Sequence, residues 1–493
     1  MDEVATRTLA AGTVRGRREG DVEVYRGIPY ATAERFVPPV PATWTGTLDA
    51  LDFGPIAPQV AGAQFQRVDL HQDEQCLSLN VWTATDGADA RPVMVWVHGG
   101  AFRTGSGASP LYDGRPLVER GDVVVITLNY RLGALGFLAH PSLGGEGEPR
   151  GSWGMLDVVE ALRWVQANVA DFGGDPDQVT VFGESAGAAA VSLLLTMPAA
   201  NGLFRRAIVQ SGAPLTTSMA VGEALAEQLV AAARVETVDD LRTIPVHDLL
   251  TAQAKVEAGG LQRTFVPVVD GVVLPDLPTR ALAAGCAAGI PTLIGSNRDE
   301  WKLWAPADPR SRDLDEAGLQ RRLARVLPEG AVDGVIDAVA AARAARGEPT
   351  APNELYFAIE SERTFRVHGV RLADAQAAHA PTFVYLFDWG SPAMRGWLGA
   401  CHGLEIAFAF GTQGRGELAA FTGSGPEADA LAEQMMDAWL AFARSGDPST
   451  PELPWPRHDP ATRPTMVLGR DTRVEAAPRD EERAAVDAAL AQA

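Results

Sequence analysis

FGGDPDQVTVFGESAG, Phe172 to Gly187, decides the reading of this chain. It runs from a loop into the short apolar strand Val179–Phe182 and on into Gly183-Glu184-Ser185-Ala186-Gly187. A glycine on each side of a serine suits a sharp, strained turn from strand to helix, which holds the hydroxyl clear of the backbone. The small, apolar run that follows, AAAVSLLL, supplies the helix such a turn needs. Gly-x-Ser-x-Gly alone arises often by chance, and a serine in an ordinary glycine turn is the plain alternative. The flanking strand and helix are what mark Ser185 as a candidate nucleophile.

A serine nucleophile needs an oxyanion site, a base and an acid. The strand RPVMVWV ends in His98-Gly99-Gly100-Ala101-Phe102. A loop of small residues after a central strand can turn backbone N–H groups toward a developing oxyanion. The N–H of Ala186, at the start of the following helix, is a second donor, reinforced by the helix dipole. For the base, the chain offers eight histidines: His71, His98, His140, His247, His368, His379, His402 and His458. Behind a serine elbow the order is serine, acid, histidine, which leaves those after Ser185. His247 sits in the helical segment VHDLL, His368 and His379 lie on a long helical pattern from Asn353 to Ala380, and His458 lies in the loop PWPRHDP. His402 differs: it follows the strand TFVYLFDW and a glycine-bearing loop, between Cys401 and Gly403, where a loop beyond a strand end can reach the elbow. For the acid, IPTLIG runs straight into SNRDEW. Asp299 and Glu300 are adjacent and point different ways, and the residues alone leave the two even.

These segments, in order, give the chain a resemblance to the type B carboxylesterases, the cholinesterase-like branch of the α/β-hydrolases, and within it to bacterial para-nitrobenzyl esterases. The resemblance extends over nearly the whole chain. It includes YRGIPYA from Tyr25, EQCLSLNVW from Glu74, VWVHGGAF from Val95, NYRLGALGFL from Asn129, the stretch from Gly151 through Pro176, the elbow, IVQSG from Ile208, GSNRDEW from Gly295 and CHGLEIAFAFG from Cys401. It implies Glu300 as the acid, the N–H groups of Gly100, Ala101 and Ala186 as the oxyanion hole, and Ser211 as a hydrogen-bond support for the acid. Three departures stand out. Ala101 replaces a glycine, and its methyl group disfavours left-handed backbone. Glu74-Gln75-Cys76 replaces Glu-Asp-Cys, and no cysteine precedes Cys76 to pair with it. Trp301 replaces the glycine after the acid and is expected to narrow the pocket.

Composition suits a soluble cytoplasmic enzyme. The chain has 493 residues, 46% of them hydrophobic, which is ample for a core. A single α/β-hydrolase domain over 1–493 is expected, with helical insertions at 214–288 and 302–380 standing over Ser185 as a cap. The net charge of −21 argues against nucleic acid and anionic membrane as partners and disfavours anionic substrates. Only Lys255 and Lys302 are lysines, which reads as a coding bias toward arginine. Three cysteines form no even framework, and Cys76, Cys286 and Cys401 read as reduced thiols. The adjacency of Cys401 to His402 suits a cysteine nucleophile poorly. No HExxH or CxxC pattern occurs, so neither metal nor cofactor is expected. The first twenty residues carry acids and no apolar core, unlike a secretory signal. No apolar run approaches the length of a membrane span. Core strands are expected at Val93–Val97, Val123–Leu128, Val179–Phe182, Ala207–Gln210, Thr292–Gly295 and Phe383–Phe387. A helix is expected from Met155 to Val169, with Met155, Val158, Val159, Leu162, Val165 and Val169 on one face. The final run, RDEERAAVDAALAQA, reads as an exposed helix.

The expected chemistry is hydrolysis of short- to medium-chain, uncharged carboxylic esters through an acyl-enzyme on Ser185. Glu184, beside the nucleophile, either favours a protonated His402 or cationic group, or is a structural carboxylate. Phe102, Trp153, Trp301 and Phe357 are candidate pocket walls, each equally readable as core. Two rivals are a catalytically silent binding or adhesion module of the same fold, against which the filled triad positions speak, and a lipase-like enzyme, which would need an apolar lid where the insertions are charged. Oligomeric state is not legible.

Overall fold

The computed structural model describes residues 3–60, 70–87, 90–258 and 265–492. The 259–264 part of the first insertion lies outside the described residues. Thirteen strands among the described residues form one mixed sheet. In chain order its main path comprises β1 (Glu3–Leu9), β2 (Gly12–Glu19), β3 (Val22–Pro29), β4 (Ser78–Ala84), β5 (Arg91–Val97), β6 (Val124–Leu128), β7 (Gly174–Glu184), β8 (Arg206–Gln210), β9 (Thr292–Asn297), β10 (Thr382–Phe387), β11 (Pro464–Leu468) and β12 (Arg473–Ala476). The spatial order is β1-β2-β3-β4-β6-β5-β7-β8-β9-β10-β11-β12, with Thr47–Asp49 paired to β2 at one end.

From β6 to β11 every pairing is parallel, while β1 to β4 and the β11–β12 edge are antiparallel. Strands buried on both faces need continuous apolar runs rather than alternation. VVITL in β6 and TFVYLF in β10 are buried at every position. Val181 of β7 sits opposite Val95 of β5 on one side and Ala207 of β8 on the other. All six expected core strands are present, with ends moved by one or more residues. The largest shift is β7, which starts at Gly174 and runs to Glu184, so it delivers the elbow without an intervening loop.

Helices cover both faces. In chain order they include α1 (Trp153–Asn168), α2 (Ala186–Leu194), α3 (Met219–Ala233), α4 (Val246–Ala258), α5 (Glu316–Leu323), α6 (Val332–Ala345), α7 (Pro352–Ser361), α8 (Val367–Ala377), α9 (Pro426–Ser445) and α10 (Asp480–Leu490). The expected stripe of α1 is buried from Met155 to Val165, and Gly173 at φ 79° closes the turn beyond it. α1 and α2 belong to the core on one sheet face, and α9 to that on the other. A third apolar cluster, with Leu323, Val339 and Phe357, belongs to the second insertion. The expected continuous helix from Asn353 to Ala380 is α7 and α8, joined through a π-helical turn at Glu362–Arg366. The final run is a helix, but not an exposed one: Val486 and Ala489 of α10 pack into the same cluster as Val339 of α6. Its charges are taken up by ion pairs, so its polar composition hides a buried stripe. No helix among the described residues is long and apolar enough to cross a membrane.

Candidate active site

The carboxyl ends of the parallel strands are where open α/β sheets gather their ligands. Here the ends of β5, β7, β9 and β10 deliver the small-residue loop, Ser185, Glu300 and the His402 loop. Ser185 has φ 57° and ψ −122°, a conformation a non-glycine residue takes only under constraint. The constraint is visible on both sides. Its N–H donates to the Gln210 carbonyl at 2.9 Å, and its carbonyl accepts from Ala189 N–H at 2.9 Å, the first turn of α2. A β-carbon on Gly187 would lie 2.0 Å from the Val97 carbonyl oxygen, so α2 rests directly on the end of β5.

The loop after β5 packs against the elbow: a β-carbon on Gly99 would meet the Glu184 carbonyl at 2.7 Å and Ser185 Cβ at 3.1 Å. Tyr130 donates its hydroxyl to the His98 carbonyl at 2.9 Å and stacks on the imidazole. Burial pushes the His98 pKa down to about 4, against a bond between Nδ1 and the Gly99 carbonyl, so this ring is a neutral strut. Ala101 takes φ 57° despite its methyl group. The left-handed turn is thus retained without glycine, at a cost of about 1 kcal/mol. Among the described residues no protein acceptor engages the N–H groups of Gly100, Ala101 or Ala186.

The geometry separates the two acidic candidates. Glu300 is fully buried with its Oε2 2.6 Å from His402 Nδ1. Asp299 faces away, accepting from Arg298 Nε at 2.8 Å and Ala400 N–H at 3.0 Å. Burial would raise its pKa, but Arg298 and Lys302 outweigh that and hold it below the ordinary value. Ser211 does not support the acid. Its Oγ is buried with no hydrogen-bond partner among the described residues, and Asn297 N–H instead donates to Glu300 Oε1 at 2.7 Å.

His402 Nε2 faces a second carboxylate. Glu184 Oε1 lies 3.0 Å away, while no hydrogen bond joins Nε2 to Ser185 Oγ. Burial disfavours the imidazolium, but Glu184 and Glu300 overcome it and hold the His402 pKa well above its ordinary value. Burial likewise pushes Glu184 up, with His402 pulling the other way. A third buried acid, Glu405, accepts from Asn297 Nδ2 at 2.5 Å. Burial and the charges of Glu184 and Glu300 push it up to about 8. Its place three residues beyond His402 gave no signal in the sequence. Burial pushes the Cys76 and Cys401 thiols upward too, which leaves neither reactive.

Two chambers meet at Ser185. The larger, about 570 Å³, is also lined by His402, Glu184, Tyr112 and Phe421. The smaller, about 390 Å³, is also lined by Ala186, Leu215, Val266, Trp301 and Phe365. Ala101, Arg103, Ser185 and Trp304 belong to both. Of the four aromatics expected in the pocket, Trp301 lines it and three do not. Phe102 is buried against Phe137, Trp153 donates its indole N–H to the Leu138 carbonyl, and Phe357 packs edge-on against Trp397. Each is buried in the core. Trp304 and Phe365 hold the pocket places instead, with ring centroids 5.0 and 4.5 Å from that of His402. Trp304 was findable: it follows Trp301 by three residues, and one 3-10 turn stacks such positions on the same side.

The sequence pattern of the Carboxylesterase family matches residues 2–486. The para-nitrobenzyl esterase of Bacillus subtilis is 38% identical, with 97% of each chain covered. The crystal structure of a Geobacillus stearothermophilus carboxylesterase superposes with TM-score 0.86 at 39% identity, over 97% of this chain and 99% of that one. A thermophilic PNB esterase superposes equally well, TM-score 0.86 at 35% identity, over 98% and 99%. Similarity that runs end to end in both sequence and backbone shows that this chain belongs to the carboxylesterase family.

Proposed function

We propose that this carboxylic ester hydrolase works through an acyl-enzyme on Ser185, with His402 as base and Glu300 as its orienting acid. The observation that carries the reading is the convergence of a strained serine with an imidazole whose Nδ1 is held 2.6 Å from a buried carboxylate, on one chamber wall. Neutral His402 takes the Ser185 proton as Oγ attacks the ester carbonyl, and Glu300 fixes the Nδ1–H tautomer. The N–H groups of Gly100, Ala101 and Ala186 receive the oxyanion. His402 Nε2 then returns the proton to the departing alcohol, and water repeats the cycle on the acyl group. For the first step Nε2 must exchange Glu184 for Ser185 Oγ; such contacts commonly tighten only when substrate is bound.

The substrates proposed are small, water-soluble esters with short to medium, uncharged acyl chains on bulky or aromatic alcohols. Chambers of about 390 and 570 Å³ favour this, as does a relative named for para-nitrobenzyl esters. We take 1–493 as one catalytic unit, with the two helical insertions supplying the chamber roofs. Ser185→Ala should lower turnover roughly 10⁶-fold. An organophosphate should leave its adduct on Ser185 by mass spectrometry, and labelling elsewhere would overturn the assignment. Across p-nitrophenyl esters from acetyl to palmitoyl, kcat/KM should rise while added methylenes still fit, by up to about 0.8 kcal/mol each, and then fall. A maximum at palmitoyl with activation at an oil–water interface would favour a lipase instead.

A further inference from the structure

The smaller chamber is not uniformly apolar. The π-helical turn at Glu362–Arg366 interrupts the α7–α8 helix, and places Arg363, Thr364 and Phe365 together on the chamber wall. Such turns inside long helices are frequent at functional sites. Arg363 donates Nε and Nη2 to Glu360 at 3.0 and 2.7 Å, which leaves its Nη1 edge without an acceptor among the described residues. Thr364 lines the same chamber, and its Oγ1 is buried with no hydrogen-bond partner among the described residues, so a χ1 rotation would be needed to present the hydroxyl to a ligand. Arg363 and Thr364 share this wall with the apolar Leu215, Val266, Trp304 and Phe365, and with the polar Arg103, Ser211 and His368. A dry polar group is costly to leave unpaired, and a site that carries one discriminates against ligands that cannot satisfy it.

The direction of the chemistry says which part of the ester meets them. The departing alcohol must sit where His402 can protonate it, and His402 lines the larger chamber and not the smaller. The acyl arm is left to the smaller chamber. Resting on the esterase reading of Ser185, we propose that Arg363 and Thr364 select acyl arms bearing a neutral hydrogen-bond acceptor, such as a ketone or amide oxygen, away from the scissile carbonyl. Glu360 already balances the Arg363 charge at 2.7 Å, and the chain carries a net −21, so a neutral acceptor fits better than a carboxylate.

The test compares p-nitrophenyl 4-oxopentanoate with p-nitrophenyl pentanoate, each kcat/KM divided by that ester's hydroxide-catalysed rate. The oxo ester should be preferred at least about tenfold. Thr364→Val should cut the preference about threefold or more. The double variant Glu360→Gln/Arg363→Met, which removes the guanidinium without stranding its partner, should bring it close to one. The readout is a ratio within one protein, so a general loss of activity does not mimic the result, and Thr364→Val keeps the test alive if the double variant fails to fold. A ratio near one in the native protein, or a preference unchanged by both variants, overturns the proposal. So does a stronger, variant-sensitive preference for the p-nitrophenyl half-ester of pentanedioic acid, which would mean an anion site. If Ser185→Ala still hydrolyses both esters, the underlying reading has failed, a result separable from a flat ratio that depends on Ser185.

Discussion

Asp299 and Glu300 are chemically alike and adjacent, yet their neighbours give them different work. Asp299 is bound to Arg298 and Lys302, and Glu300 holds His402 at 2.6 Å. Glu300→Gln should favour the wrong imidazole tautomer and lower kcat by about 10⁴-fold. Asp299→Asn should cost far less, and its main effect should be on loop stability; the reverse ranking in steady-state kinetics would overturn the assignment. Glu184 alters the pH expectation. A lone histidine base would titrate near 6.5. With carboxylates at both ring nitrogens the imidazolium is favoured, so kcat/KM should rise with pH through a midpoint above 6.5. Glu184→Gln removes one of the two charges and should move the midpoint down. A native midpoint at or below 6.5 in a pH–rate profile would show that Glu184 does not hold the imidazolium in the working enzyme.

At the scale of elements, much was legible in the sequence because backbone needs leave compositional marks. The elbow needs small residues on both sides, and buried parallel strands need unbroken apolar runs; both read directly as FGESAG and VVITL. Gly187 shows how strict the first need is. A β-carbon there lies 2.0 Å from the Val97 carbonyl oxygen, and the next atoms it meets are also backbone, of Val97 and His98, so no side chain is there to yield. Gly187→Ala should therefore displace α2 from β5 and cost more than about 3 kcal/mol, with activity lost alongside, as denaturant unfolding would show. A variant of native stability would mean that the elbow is slacker than the packing implies. Side chains with a choice of rotamer left weaker marks. Phe102 follows the small-residue loop after β5 as a pocket wall would, but at φ 59° its ring packs onto Phe137. Ser211, at φ 51°, likewise leaves its buried hydroxyl without a hydrogen-bond partner among the described residues. The π turn ahead of α8 adds a residue that no apolar period announces, and Phe365, which it carries, stands in the pocket without a mark in the sequence.

The whole molecule concentrates acid where a single chain segment could not. Glu405 lies three residues beyond His402, while Glu184 and Glu300 come from distant stretches that only the parallel sheet brings beside them. Their combined effect on stability has a definite sign. Glu405 is raised from 4.5 to about 8, so the folded chain keeps a proton that the unfolded chain has lost across that interval. Its contribution is complete below about pH 4.5 and disappears as pH climbs through 8. Glu184 and His402 are raised too, and act in the same sense above their own unfolded values. Elsewhere the opposite holds. Burial would raise Glu348, but hydrogen bonds and charge from Arg479 and Arg346 draw it down to about 2. The stability it supplies is present above its unfolded value and fails as pH falls toward 2. The chain should therefore be most stable in mildly acidic solution and lose stability steadily toward pH 9. Glu405→Gln is a permanent stand-in for the protonated acid. At or below about pH 4.5 its Tm should lie close to that of the native protein, because there the native side chain is protonated in the folded and the unfolded chain alike. From about pH 4.5 to about pH 8 the native Tm should fall progressively below that of the variant, by an amount on the order of a few degrees, and the gap should persist to pH 9. Parallel Tm curves between about pH 4.5 and 8 would show that Glu405 does not keep its proton in the folded chain, and that the buried acids around His402 carry their charge at no cost to the fold.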